Sequence, residues 1–186
     1  LHDALPIFSS CVPKHVVVDS LNGGHEALDL LLKLGIVVEE EELVVPLVHL
    51  FPIQMRSLSS SGSEKHLVLM TDLHPTVLGL TYIPYKDELS TEEKEEGAVM
   101  YIGPDSLALV HHLHASIEKR SKMQPLRVLD VCTGSGVQAL SSLAMLDTDE
   151  GMDHTIVAVD VNKRALRFTA FNAILNGYQD RISTVH

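Results

Sequence analysis

The residues best suited to chemistry lie between positions 130 and 162. Asp130, Cys132, Thr133, Gly134, Ser135 and Gly136 form one run, and Asp160, Val161 and Asn162 a second. Glycines let a ligand approach the backbone where a Cβ would block it. Gly134-x-Gly136-x-x-Ala139 fits a dinucleotide fingerprint, a weak signal when it stands alone. Asp160 follows at roughly the ~20-residue offset at which a strand-end acid grips two vicinal ribose hydroxyls. The combination suits a nucleoside-containing cofactor. Asp130 sits on the approach to the turn, where a carboxylate would crowd a pyrophosphate. It suits the ammonium end of an amino-acid ligand instead. Thr133 and Ser135 either hydrogen-bond such a ligand or simply close the turn.

These residues need a frame. Arg127 to Val131 is a short run of β-formers and predicts a strand. Val137 to Leu146 has helical spacing, with Val137, Leu140, Leu143 and Ala144 on one face. Strand, glycine turn and helix make the first half of a βαβ unit, and the helix N-terminus turns unpaired N–H groups towards an anionic group. Thr155 to Asp160 predicts a second strand. Asn162 then caps a helix from Lys163 to about Asn176, which Gly177 ends. Asn172 falls on that helix as a packing residue. Ile182 to Val185 starts a third strand. Upstream, Tyr101 to Pro104 predicts a turn, and Asp105 or Ser106 the cap of a helix whose apolar stripe is Leu109 or Val110, Leu113 and Ile117.

The paired stretches VLDVCTGSGVQAL and IVAVDVNKRALRFTAFNAILNG resemble class I S-adenosylmethionine-dependent methyltransferases. They look most like the small-domain branch that includes release-factor glutamine methyltransferases and ribosomal-RNA guanine methyltransferases. The resemblance covers roughly Val99 to His186. It implies S-adenosyl-L-methionine as cofactor, held by Asp130, Cys132, Thr133, Gly134, Ser135, Gly136, Asp160, Val161 and Asn162. In that family the segment upstream of the glycine turn walls the pocket. YIGPDS occupies that place, which makes Tyr101, Gly103 and Asp105 secondary candidates, with helix capping as the alternative. Cys132 stands where many members carry the first glycine of the turn, so a small residue explains it better than a nucleophile with no base. The family's acceptor motif, Asn-Pro-Pro-aromatic, has no counterpart up to His186, so no catalytic residue is named. A chain cut there is expected to be poorly stable and inactive alone, with Val128 to Val131 at an unpaired edge.

The 186 residues suffice for one large or two small domains; 45% are hydrophobic and 4% aromatic, with no Trp. A net charge of −11 argues against a broad nucleic-acid surface. Two distant cysteines, Cys11 and Cys132, indicate no disulfide framework and suit a reducing, cytoplasmic setting. No apolar run reaches the ~18 residues of a membrane span. His111, His112 and His114 lack a completing Cys or carboxylate at a zinc spacing, so a solvated helix face is preferred and no metal is expected.

The expected organisation has four parts. Residues 1–15 are unassigned, and LHDALPI looks like read-through rather than native protein. Residues 16–85 form a small mixed α/β accessory module, 86–98 an acidic connector, and 99–186 a truncated methyltransferase domain. Within the accessory module, a helix at His25 to Leu34 and short strands around Glu39 to Glu42 predict a winged-helix-like end; four Glu would repel phosphate, which favours a solvated hairpin over a nucleic-acid wing. Further strands are expected at Leu47 to Gln54, His66 to Leu73 and Thr76 to Ile83, with a Ser-rich loop from Ser57 to Ser63. The fold class expected is α/β, a partial Rossmann-like sheet behind the accessory module. The expected function is N-methylation of protein glutamine or of a nucleobase, with a release-factor-like protein or an RNA as partner. An NAD(P)-dependent oxidoreductase and a non-catalytic methyltransferase subunit are the alternatives.

Overall fold

The computed structural model describes residues 11–58, 62–72, 98–121, 124–147 and 153–186. Residues 1–7, the strand expected at Thr76 to Ile83 and nearly all of the acidic connector lie outside them. The architecture is mixed α/β with a parallel sheet. Contacts divide the described residues into two units, 11–50 with Asp72, and 51–71 with 98–186.

The first unit contains strand β1 (Val12–Pro13), helices α1 (Lys14–Ser20) and α2 (Gly24–Lys33), and strands β2 (Val37–Glu40) and β3 (Leu43–Pro46). Residues 11–15, left unassigned from sequence, thus supply a strand and a helix start. The strands pair antiparallel in the order β1-β3-β2. Val17, Leu28, Val37 and Val44 form its core, with Leu31, Leu32 and Ile36 against it. Helix α2 ends where expected: Ile36 N–H donates to Leu31 O and Gly35 N–H to Leu32 O, which satisfies two carbonyls that the helix leaves free. At the acidic tip, Lys14 Nζ meets Glu39 Oε1 at 2.7 Å.

The second unit holds most of strands β4 (Val48–Arg56) and β5 (Glu64–Asp72), which form a two-stranded sheet. It also holds helix α3 (Pro104–Ser121), strand β6 (Arg127–Val131), helix α4 (Val137–Leu146), strand β7 (Thr155–Val159), helix α5 (Lys163–Leu175) and strand β8 (Ile182–Val185). Strands β6, β7 and β8 lie parallel in that order, with Val128 opposite Ile156 and Ile156 opposite Ile182. The segment 51–71 was expected in the accessory module; its contacts lie instead with the second unit. Ile53, Leu67 and Leu69 enter the same core as Leu140, Leu143 and Ile156.

That placement changes α4. One apolar face was expected, yet nearly the whole helix is buried, Ser141 and Ser142 included. Helix α3 contributes Val110 and Ile117 to the same core, while Leu109 faces out. Leu58 N–H donates to Met145 O, so 51–71 also satisfies a carbonyl at the end of α4. Asp147, just past that end, bridges Lys65 at 2.8 Å and Arg181 at 3.2 Å. Helix α3 starts earlier than expected, ahead of both Asp105 and Ser106, the predicted caps. Leu107 N–H donates to Gly103 O, which makes Pro104 the first helical residue, a position where its missing N–H costs nothing.

Among the described residues, one face of the parallel sheet is bare. Leu129, Val131 and Val157 are exposed on it, while Ile156 and Ala158 are buried on the other. Parallel sheets are normally covered on both faces.

Candidate functional site

The site grows from the turn between β6 and α4. Cys132 has φ 61°, Gly134 58° and Gly136 83°, so alternate residues take the left-handed conformation. At Gly136 a Cβ would also meet Thr169 Cγ2 and Oγ1 at 3.0 Å, so glycine is required twice over. At Gly134 a Cβ would meet nothing within 4 Å, because that residue faces open space. Cys132 adopts a conformation that glycine holds without strain, in agreement with the small-residue reading of this position.

Each part of the turn is tied down. Thr133 N–H donates to Val159 O at 3.0 Å, and Gly136 N–H to Thr133 O at 2.8 Å. Asp160 at the end of β7 accepts from Gly134 N–H on Oδ2 and from Asn162 N–H on Oδ1, both at 2.9 Å. Asn162 caps α5 as expected, accepting from Arg164 N–H. Helix α5 reaches back to the turn. Thr169 Oγ1 donates to Gly134 O at 3.0 Å, and Asn172 Nδ2 to Ser135 O at 2.8 Å.

A cavity of about 330 Å³ opens above this turn. Residues 98–102 with Asp105 and Ser106 form one wall. Cys132 to Ser135, Val137 and Gln138 form the floor, and Asp160, Asn162 and Ala165 the far side. Among the described residues, the lining holds two carboxylates and no Lys, Arg or His side chain. That electrostatic character favours a cationic group and disfavours a pyrophosphate.

Of the residues singled out from sequence, Tyr101, Asp105, Cys132, Thr133, Gly134, Ser135, Asp160 and Asn162 meet around this cavity. Asp130, Gly136, Gly103 and Val161 do not line it. The Asp130 carboxylate accepts from Thr133 Oγ1 at 2.7 Å, beneath the turn rather than within the cavity. Burial raises its pKa above the ordinary value; Thr133 and the Ala139 N–H oppose this, and the charge of Asp160 adds to it. Gly136 is covered by Thr169, and Gly103 lies beside the Asp105 carboxylate. Val161 is 90% exposed just beyond the strand end. The described residues hold no group of three metal-ligating side chains, His111, His112 and His114 included.

Sequence reasoning missed the anchoring by Thr169 and Asn172. The available signal was their place on the apolar side of α5: a polar side chain buried there must find partners. Ala98 to Met100 were likewise missed as lining residues, having no motif of their own.

No family model matches the chain. Over 70 residues the chain is 39% identical to a probable MRF1 mitochondrial N(5)-glutamine methyltransferase of Schizosaccharomyces pombe, covering 36% of this chain and 21% of that protein. Over 59 residues it is 46% identical to a ribosomal protein L11 methyltransferase of a Geobacter species, covering 32% of this chain and 17% of that one. A crystal structure of a SAM-dependent methyltransferase from Agrobacterium tumefaciens aligns with a TM-score of 0.40 at 16% identity, over 64% of this chain and 29% of that one. The chain spans about a fifth of the length of the curated relatives it matches. The matching stretches are similar to parts of methyltransferases.

Proposed function

We propose that this chain carries the cofactor-binding part of an S-adenosylmethionine-dependent methyltransferase acting on a nitrogen. The observation that carries the reading is the cavity above the glycine turn, lined among the described residues by Asp105 and Asp160 and by no basic side chain. A sulfonium and an ammonium fit that lining, whereas the pyrophosphate of a nicotinamide cofactor would meet no cation there. The parallel order β6-β7-β8 supports a Rossmann-like sheet, and the helix pair with its antiparallel sheet supports a winged-helix-like accessory module.

When bound, the cofactor supplies an activated methyl group, open to in-line displacement. The chain's own residues hold and orient. Asp160 already accepts two backbone N–H groups and has lone pairs left for ribose hydroxyls. The backbone from Thr133 to Ser135 supports the amino-acid end. Asp130 acts from beneath, holding Thr133 in place. Tyr101 and Asp105 close the opposite wall. Excluding water there would strengthen each of these contacts.

The acceptor proposed is the side-chain amide of a protein glutamine, ahead of a nucleobase. Both curated relatives are named for protein substrates, one of them through N(5)-glutamine methylation. The net charge of −11 also disfavours a broad RNA surface. Isothermal titration with S-adenosylhomocysteine and with NAD is the direct test. Binding of the first alone is expected; binding of NAD alone would move the reading to an oxidoreductase. If S-adenosylhomocysteine binds but no glutamine-bearing protein or RNA accepts a methyl group from the complete protein, a non-catalytic subunit becomes the better reading.

A further inference from the structure

Helix α5 meets strand β5 through two asparagines one turn apart. Asn172 Oδ1 accepts from Met70 N–H at 2.7 Å, and its Nδ2 donates to Met70 O at 2.8 Å. Asn176 repeats the pattern two strand residues away, with Val68 N–H and Val68 O, both at 2.9 Å. The repeats match in length. Four helical residues rise about 6 Å, and two strand residues about 6.7 Å. Each side-chain amide thus stands in for a peptide group of a neighbouring strand, and together they cover part of an edge of β5.

The two amides differ in their second N–H. Asn176, the cap just past the end of α5, gives it to Asn172 O in the last turn of that helix at 2.7 Å. Asn172 gives it to Ser135 O, in the floor of the cavity, at 2.8 Å. We infer that Asn172 is a positioning residue for the cofactor site: its amide ties the glycine turn to strand β5, so the shape of the cavity floor depends on residues 51–71. A peptide group is planar, so fixing the Ser135 carbonyl also fixes the direction of the Gly136 N–H, which closes the turn onto Thr133 O. Asn172 is fully buried, so no water replaces a lost bond without rearrangement.

The functional side of this inference rests on the cofactor reading above; the structural side does not. The test compares Asn172→Ala with Asn176→Ala in the 186-residue chain. Amide hydrogen exchange is followed first without ligand, then S-adenosylhomocysteine is titrated. Both variants are expected to speed exchange at Val68 and Met70. Only Asn172→Ala is expected to speed it at Gly134, Ser135 and Gly136, by about tenfold, and to weaken S-adenosylhomocysteine binding by about as much. Asn172→Asp keeps the size and the acceptor for Met70 N–H but cannot donate to both carbonyls. It takes the place of the alanine variant if that one does not fold, with the same expected turn-specific exchange. Unchanged exchange in the turn, or an equal change in Asn176→Ala, overturns the positioning role. A wild-type chain that does not bind S-adenosylhomocysteine strikes the cofactor reading instead, and the exchange comparison still decides the role of Asn172.

Discussion

Among the described residues, two turns hold a non-glycine residue in the left-handed conformation, and they are held to different degrees. At the tip between β2 and β3, Glu41 has φ 55°. Around it are a strand pair in register, exposed side chains, and one distant residue, Lys14, whose backbone N–H donates to Glu42 O at 2.8 Å and whose ammonium pairs with Glu39. At the turn between β6 and α4, Cys132 has φ 61°. There the anchors come from far along the chain, from Val159, Asp160, Thr169 and Asn172. An exposed hairpin tip needs little beyond its own strands and one contact from Lys14, because water can satisfy the rest. A turn that must present its backbone to a ligand cannot rely on water, so distant side chains hold it.

The largest expected effect breaks the second turn. Gly136→Ala forces a Cβ to within 3.0 Å of Thr169 at a φ of 83°. A loss of about 2–3 kcal/mol is expected in urea unfolding, from left-handed strain plus the displaced Thr169. A change below about 0.5 kcal/mol, the usual size at undemanding surface sites, would mean that the turn adapts freely.

Next comes the support behind α4. Burial pushes the pKa of Asp147 up, but the hydrogen bond and charge of Lys65 and the charge of Arg181 outweigh it and hold the group below its ordinary value of 3.8. A depressed carboxylate stabilises the fold above its unfolded pKa, and that stability is lost as pH falls through the folded value. Asp147→Ala is therefore expected to cost about 1 kcal/mol at neutral pH, discounted for a side chain that is partly exposed. The gap between wild type and variant should close at low pH. Thermal melts across that range check it, and a gap that widens on acidification would contradict the assigned partners.

A smaller gain is expected from relieving the two strained residues. Cys132→Gly and Glu41→Gly each remove left-handed strain and add unfolded-state entropy, leaving a net stabilisation of a few tenths of a kcal/mol, up to ~1. The pair sharpens the contrast. Only the change at Cys132 should alter S-adenosylhomocysteine affinity, since only that residue lines the cavity. The smallest effect is Lys14→Ala. Its partner Glu39 raises the Lys14 pKa, but the ammonium lies in solvent, and no measurable shift in the melting temperature is expected.

Much of the second unit is legible in the chain, and the reason is locality. Strand Arg127–Val131 and helix Val137–Leu146 occur at the expected bounds, and Asn162 caps α5. Each rests on a few consecutive residues whose spacing, capping or turn chemistry acts within the segment. Strand β7 stops at Val159, one residue short of the expected Asp160, whose carboxylate accepts from the Gly134 and Asn162 N–H groups. The four-sided burial of α4 is not legible, since periodicity reports only the face a helix would bury by itself. The direction of Asp130 is not legible either. From sequence its carboxylate suits a ligand ammonium; in the fold it accepts from Thr133 Oγ1 beneath the turn.

By itself the sequence determined the frame of strand, glycine turn and helix, and the acid at the end of the second strand. It also carried the resemblance to methyltransferases that the relatives share. Tertiary structure alone decided that residues 51–71 pack with the second unit, and that Asn172 and Asn176 bond the backbone of β5. It also decided which carboxylates face the cavity. The physical reason is common to all three. Propensity, capping and turns are energies within a few residues of chain. The direction of a buried amide or carboxylate is set by whichever distant backbone group is left needing a hydrogen bond once the chain has folded.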